Sequence, residues 1–148
     1  LQVIKINDYQ KDRFAQRIID HFSGNLTGKR IGVLGWTFKA NTNDSRESSS
    51  IYVAQKLFRA GAHLEIYDPM ASEKNIFKDI NFYWESSKTK DLKPHISVID
   101  SLSKLDQNID AVAILTEWEE FKNQDFSKTV VFDGRGLVAK SNYSIGRG

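Results

Sequence analysis

The chain has 148 residues, 40% hydrophobic and 27% charged, the balance of one globular domain rather than of a disordered or fibrous segment. A formal net charge of +2, with Lys and Arg scattered among Asp and Glu, offers no basic stripe for nucleic acid, and no apolar run approaches the roughly 20 residues that span a bilayer. The absence of cysteine excludes a disulfide, a zinc–thiolate site and a thiol nucleophile within the chain.

From Val3 to Phe22, Ile6, Phe14, Ile18, Ile19 and Phe22 recur at helical spacing, with Asn7-Asp8 placed to cap the helix proper. The pattern is already running at Leu1, which is not Met and shows no signal-peptide character. A piece of a longer cytoplasmic polypeptide is the expectation. Gly24 to Gly28 reads as a turn, and Lys29 to Gly35 as a short buried strand. A loop follows from Trp36 to about Ser45. Helical spacing resumes with Ile51, Ala54, Leu57 and Phe58, led by Asp44 and Glu47 in a capping arrangement and ended by Gly61. His63 to Tyr67 alternates as a strand and stops at Asp68-Pro69. Residues 71–93 are polar and carry no clear period, although Phe82, Tyr83 and Trp84 require that part of them pack. Ile96 to Ile99 is a short strand, Ser101 to Leu105 a brief helix, and Ala111 to Leu115 the clearest buried strand. Trp118 and Phe121 mark a helical turn, Thr129 to Phe132 another strand, and Tyr143 to Ile145 a last one. Strands apolar on both faces, alternating with helices, predict a Rossmann-like α/β three-layer sandwich with a mainly parallel sheet, preceded by a helix.

In such sheets ligands bind beyond the carboxyl ends of the strands, which directs attention to Gly32–Ser50. Gly32 and Gly35 do not have the spacing of a dinucleotide fingerprint, so an NAD site of this chain's own is not expected. Asp68, beside Pro69, reads as a turn residue rather than a ribose ligand. Lys39 as a point charge, Arg46 as a bidentate donor near a helix start, and the ring of Phe38 suit a phosphate-bearing ligand that contains a ring. On spacing alone, an ordinary surface loop, with Lys39 solvated and Arg46 paired to Asp44 or Glu47, is favoured over that reading. Arg135, between Gly134 and Gly136 at a strand end, either shares an anion with Lys39 or decorates an exposed turn. Glu117 and Glu119 read as a helix start rather than an acid–base pair. His21, His63 and His95 have no metal-ligand spacing, and no nucleophile triad is evident.

Taken together, GWTFKANTNDSRESSSIYVAQKL, GAHLEIYDP, ILTEWEEFK and VFDGRG, in that order, resemble the C-terminal domain of the UDP-glucose and GDP-mannose dehydrogenases. INDYQKDRFAQRIID resembles the helix that leads into that domain, and SIGRG the end of bacterial-type members. The resemblance covers nearly all of the chain except 71–93. It implies that residues 1–28 end a central linking helix region and that 29–148 bind the nucleotide sugar. It further implies that Phe38, Lys39 and Arg135 contact a UDP-sugar substrate, and that Arg46 reaches an NAD cofactor held mainly by an N-terminal domain.

The family's reaction oxidises a sugar C6 alcohol to a carboxylate through a cysteine-bound intermediate, with two NAD per turn. Having no cysteine, this chain carries no catalytic nucleophile and is expected to be inactive alone. The wording ESSSIYVA and GAHLEIYDP is nearest to members acting on UDP-glucose and forming UDP-glucuronate, a step of polysaccharide biosynthesis. UDP-N-acetyl-mannosamine or GDP-mannose as substrate, a stand-alone non-catalytic nucleotide-binding module, and an oligomerisation element are the alternatives. No metal, nucleic acid or membrane partner is expected, and the full-length protein is expected to be a homo-oligomer.

Overall fold

The computed structural model describes residues 2–37, 49–84, 92–116, 118–126, 129–134 and 143–144, with side chains from residue 11 onward in all but the last pair. Strands β1 (Arg30–Leu34), β2 (His63–Tyr67), β3 (Ile96–Val98), β4 (Ala111–Ile114), β5 (Val130–Asp133) and β6 (Tyr143–Ser144) form one sheet in the order β3-β2-β1-β4-β5-β6. Every neighbouring pair is parallel. This is the doubly wound Rossmann order, in which the chain steps outward from β1 to β3 and returns to lay β4 beside β1. The expected α/β class holds, and the described sheet is wholly rather than mainly parallel.

Parallel neighbours need crossovers, and the helices supply them. Helix α2 (Ser49–Arg59) links β1 to β2, α3 (Glu73–Tyr83) links β2 to β3, a 3-10 turn (Leu102–Lys104) lies between β3 and β4, and α4 (Glu119–Lys122) between β4 and β5. Both faces of the sheet are therefore covered. Ile31, Val33, Leu64, Ile66, Ala111, Ala113 and Phe132 pack with the helical residues Ile18, Ala54, Leu57 and Ile80 on one side. The alternate positions Leu34, Tyr67, Val112, Ile114 and Val131 pack with Leu102, Phe121 and Phe126 on the other. The period-2 alternation of side chains thus builds two cores from each strand.

Helix α1 (Gln2–His21) buries Phe14, Ala15, Ile18 and Ile19 in the first of these cores. Phe14 meets Phe132 edge to face at 6.5 Å. Asp12 fastens α1 to α2, accepting from Lys56 and from the Tyr52 hydroxyl. These contacts hold the Asp12 carboxyl below the usual carboxylate range, the Lys56 bond first and the Tyr52 bond next. The expected helix start at Asn7-Asp8 is corrected, because α1 runs through both residues. Asn and Asp cost a helix interior only about 0.7 kcal/mol each, too little to stop one.

Gly61 ends α2 as expected, at φ +108°. Ala62 N–H donates to Leu57 O at 3.2 Å and Gly61 N–H to Phe58 O at 3.0 Å, the paired bonds of a Schellman cap. Residues 71–93, without a clear period in sequence, contain α3. Ser72 caps it by accepting from Asn75 N–H at 3.2 Å, and Ile76, Phe77 and Ile80 bury one face. Trp84 is buried against Phe58, with its indole N–H on Ile51 O at 3.1 Å. Of the three aromatic residues there, Phe82 is 78% exposed, so packing is the work of Trp84 and, in part, Tyr83. The proposed cap at Asp44 and Glu47 lies outside the described residues.

Candidate functional site

Because all the strands are parallel, their carboxyl ends share one edge. Tyr67, Leu34, Ile114 and Asp133 stand in register across β2, β1, β4 and β5. One residue further on, the backbone is still stitched across the sheet. Gly35 N–H donates to Tyr67 O at 2.7 Å, Leu115 N–H to Leu34 O at 2.9 Å, and Gly134 N–H to Ile114 O at 2.9 Å. The topological switch point lies between β1 and β4, where strands leaving in opposite directions open a crevice.

Gly35 turns the chain out of β1 at φ +103°. A Cβ there would lie 2.5 Å from Thr116 Oγ1 and 2.6 Å from Thr116 N, so only glycine lets the two segments pass. Thr116, fully buried, donates its hydroxyl to Thr37 O at 2.9 Å. Trp36 is also fully buried and donates its indole N–H to Asp79 Oδ2 at 2.9 Å, tying this segment to α3.

Asp68, at the end of β2, is only 4% exposed and gathers donors from three directions. Its Oδ2 accepts from Trp36 N–H at 2.7 Å, Thr37 N–H at 3.0 Å, the Thr37 hydroxyl at 3.1 Å and the Trp118 indole at 3.2 Å. Its Oδ1 accepts from Met70 N–H at 2.8 Å. The Met70 bond is the turn role expected beside Pro69. The other four make Asp68 a clamp between the ends of β1, β2 and β4, which sequence reasoning missed. Beside it, the Tyr67 hydroxyl donates to Glu120 on α4. Burial and the Glu120 carboxylate push that hydroxyl well above the usual tyrosine range, so it stays a donor.

The candidate residues relate to this frame as follows. Phe38, Lys39 and Arg46 fall in 38–48 and Arg135 in 135–142, outside the described residues. The structure describes the points from which those segments depart. Thr37 follows β1 and Gly134 follows β5 at the same edge of the sheet, and those two strands lie two places apart, roughly 10 Å between their axes. Glu117 is likewise outside the described residues. Glu119 opens α4, and Trp118 and Phe121 pack in the second core, as expected of a helix start.

An NAD pyrophosphate is a poor fit to the β1 turn. The amides of Trp36 and Thr37, which in a dinucleotide turn would face phosphate, are spent on the Asp68 carboxylate, and Thr116 fills the space beside Gly35. A cavity of about 620 Å³ lies further along the edge, at the ends of β2 and β3, lined by residues including Tyr67, Met70, Val98 and Asp100. Lys104 in its wall is held by Asp100 at 2.7 Å, which lowers the Asp100 carboxyl below its usual range. Among the described residues no group of three or more acidic or histidine side chains is placed to hold a metal ion, and no helix is long and apolar enough to cross a membrane.

Comparison with known proteins gives a consistent result. Residues 32–140 match the model of the UDP-glucose/GDP-mannose dehydrogenase family, UDP binding domain. UDP-glucose 6-dehydrogenase 1 of Arabidopsis thaliana is 36% identical, over 93% of this chain and 32% of its own length. UDP-glucose 6-dehydrogenase of Bos taurus is 39% identical, over 93% of this chain and 29% of its own. A solved UDP-glucose dehydrogenase from the hyperthermophilic archaeon Pyrobaculum islandicum matches with a TM-score of 0.72 at 28% identity, covering 96% of this chain and 30% of that one. The chain therefore spans less than a third of the length of these relatives.

Proposed function

The chain belongs to the UDP-glucose/GDP-mannose dehydrogenase family through its UDP-binding domain, and from that premise we propose that it serves an NAD-dependent enzyme oxidising UDP-glucose to UDP-glucuronate. The observation that carries this reading is the family match over 32–140, a span that contains all four candidate residues. The curated relatives at 36% and 39% identity, named UDP-glucose 6-dehydrogenases, favour glucose as the sugar.

In this reading Phe38 and Lys39 meet the UDP-sugar from the end of β1, and Arg135 meets it from the end of β5. Strands β1 and β5 lie two places apart, roughly 10 Å, a span over which two long cations following them can close on one diphosphate. Arg46 reaches the NAD, which an N-terminal domain of the same protein holds. Residues 1–28 end the segment linking the domains, and 29–148 form the nucleotide-sugar domain. The full-length protein assembles as a homo-oligomer in the cytoplasm.

Converting an alcohol to a carboxylate removes four electrons, so two NAD are reduced and one water is consumed per sugar. The nucleophile that carries the intermediate must come from outside this cysteine-free chain. The 148-residue chain is thus expected to reduce no NAD with UDP-glucose, while the longer polypeptide forms two NADH per UDP-glucuronate. Turnover by the chain alone would overturn this division of labour. A longer polypeptide that oxidises GDP-mannose or UDP-N-acetyl-mannosamine in preference would correct the substrate.

A further inference from the structure

We propose that Asp68 is a positioning residue for nucleotide-sugar binding: its buried carboxylate fixes Trp36 and Thr37, the residues that lead into Phe38 and Lys39. The inference rests on the proposed function and assigns a task to a residue that touches no ligand in it.

Five donors converge on this one carboxylate, four of them on Oδ2. Three of those four belong to Trp36 and Thr37, the last described residues before 38–48, and the fourth is the Trp118 indole from the loop after β4. From the opposite side Thr116 donates to the Thr37 carbonyl. Residue 37 thus has its amide, its hydroxyl and its carbonyl all engaged, and it is 1% exposed. These bonds lie beyond the sheet's own stitching, which closes around β1 with Gly35 N–H on Tyr67 O and Leu115 N–H on Leu34 O.

A carboxylate taken out of water persists only if its lone pairs are filled, and here they are filled by the segment that must be held. Phe38 is the next residue and Lys39 the one after, each about 3.8 Å further along the chain. Freedom gained at Thr37 passes to them directly. Asp68 therefore takes up the amides that a dinucleotide turn would offer to phosphate, and leaves the ligand to the side chains beyond.

The test uses the full-length dehydrogenase with Asp68→Asn, which replaces one acceptor oxygen by a donor. Steady-state kinetics and hydrogen exchange at the Trp36 and Thr37 amides are measured where circular dichroism shows both proteins folded. The expected result is faster exchange at both amides and a KM for UDP-glucose raised about tenfold, the scale of one lost charge-assisted hydrogen bond, with the KM for NAD unchanged. In a Lys39→Ala background the same substitution should add less than about twofold, a coupling that a merely stabilising residue would not show. Thr116→Val, which keeps the carboxylate, should raise the same KM about threefold and answers the question if Asp68→Asn does not fold. Unchanged exchange, or faster exchange with an unchanged KM for UDP-glucose in both variants, overturns the inference and leaves the proposed function standing. A wild-type enzyme that does not use UDP-glucose overturns the proposed function itself.

Discussion

At the scale of single residues, the carboxyl edge of the sheet is set by close approaches that admit few substitutions. At Gly35 an added methyl would meet not only the Thr116 side chain, which can rotate, but the Thr116 backbone nitrogen at 2.6 Å, which cannot. The positive φ of +103° adds a conformational cost for any L side chain. Gly35→Ala is expected to destabilise the chain by about 2–4 kcal/mol, the sum of strain and overpacking. Urea denaturation checks this through a lower midpoint at unchanged slope. A change below about 0.5 kcal/mol would mean that the crossing of Gly35 and Thr116 is looser than described. Asp68 shows why such positions escape sequence reading. Its partners Trp36, Thr37 and Trp118 lie 31 to 50 positions away, and no local spacing announces that they will meet.

At the scale of elements, α3 is the instructive case. Its N-terminus rests on Ser72, whose hydroxyl satisfies the Asn75 amide. Ser72→Ala should cost about 1 kcal/mol, and Ser72→Asp should restore most of it, since either side chain can accept that bond. Thermal unfolding of both variants distinguishes the loss of a cap from a general loss of polarity, and equal melting temperatures for all three proteins would remove the cap from the account. The strands were legible because Arg30–Leu34, Ala111–Ile114 and Val130–Asp133 are short apolar runs bounded by turn residues, as strands buried on both faces must be. Helix α3 was not, because Ile76, Phe77 and Ile80 are thinly spread among Lys74, Lys78 and Asp79, and one buried face of three residues is a weak periodic signal. The break foreseen at Asn7-Asp8 failed for the converse reason. A local preference for capping yields to a helix already anchored by Phe14, Ile18 and Ile19.

At the scale of the whole molecule, strand order turns a linear sequence into a site. The turns after β1 and β5 are nearly a hundred residues apart in the chain, yet the order β1-β4-β5 sets them two strands apart on one edge. The cationic candidates Lys39 and Arg135 were legible as residue types, but composition alone left each of them open as an ordinary surface side chain. What joined them was the resemblance in sequence; in the structure the strands that precede them, β1 and β5, end on one edge. The same edge has the strand order of a dinucleotide-binding fold, but the Trp36 and Thr37 amides of its first turn are bonded to Asp68 and so are not offered to an NAD pyrophosphate.

The central claim is that this edge binds a UDP-sugar while NAD is held elsewhere. Its most direct test is steady-state kinetics of Lys39→Ala and Arg135→Ala in the full-length enzyme. The account predicts a KM for UDP-glucose raised about 10- to 100-fold in each variant, with the KM for NAD within about twofold of wild type, as expected when a charge-assisted contact to one ligand is lost. An unchanged KM for UDP-glucose in both, or a loss confined to NAD, would contradict it.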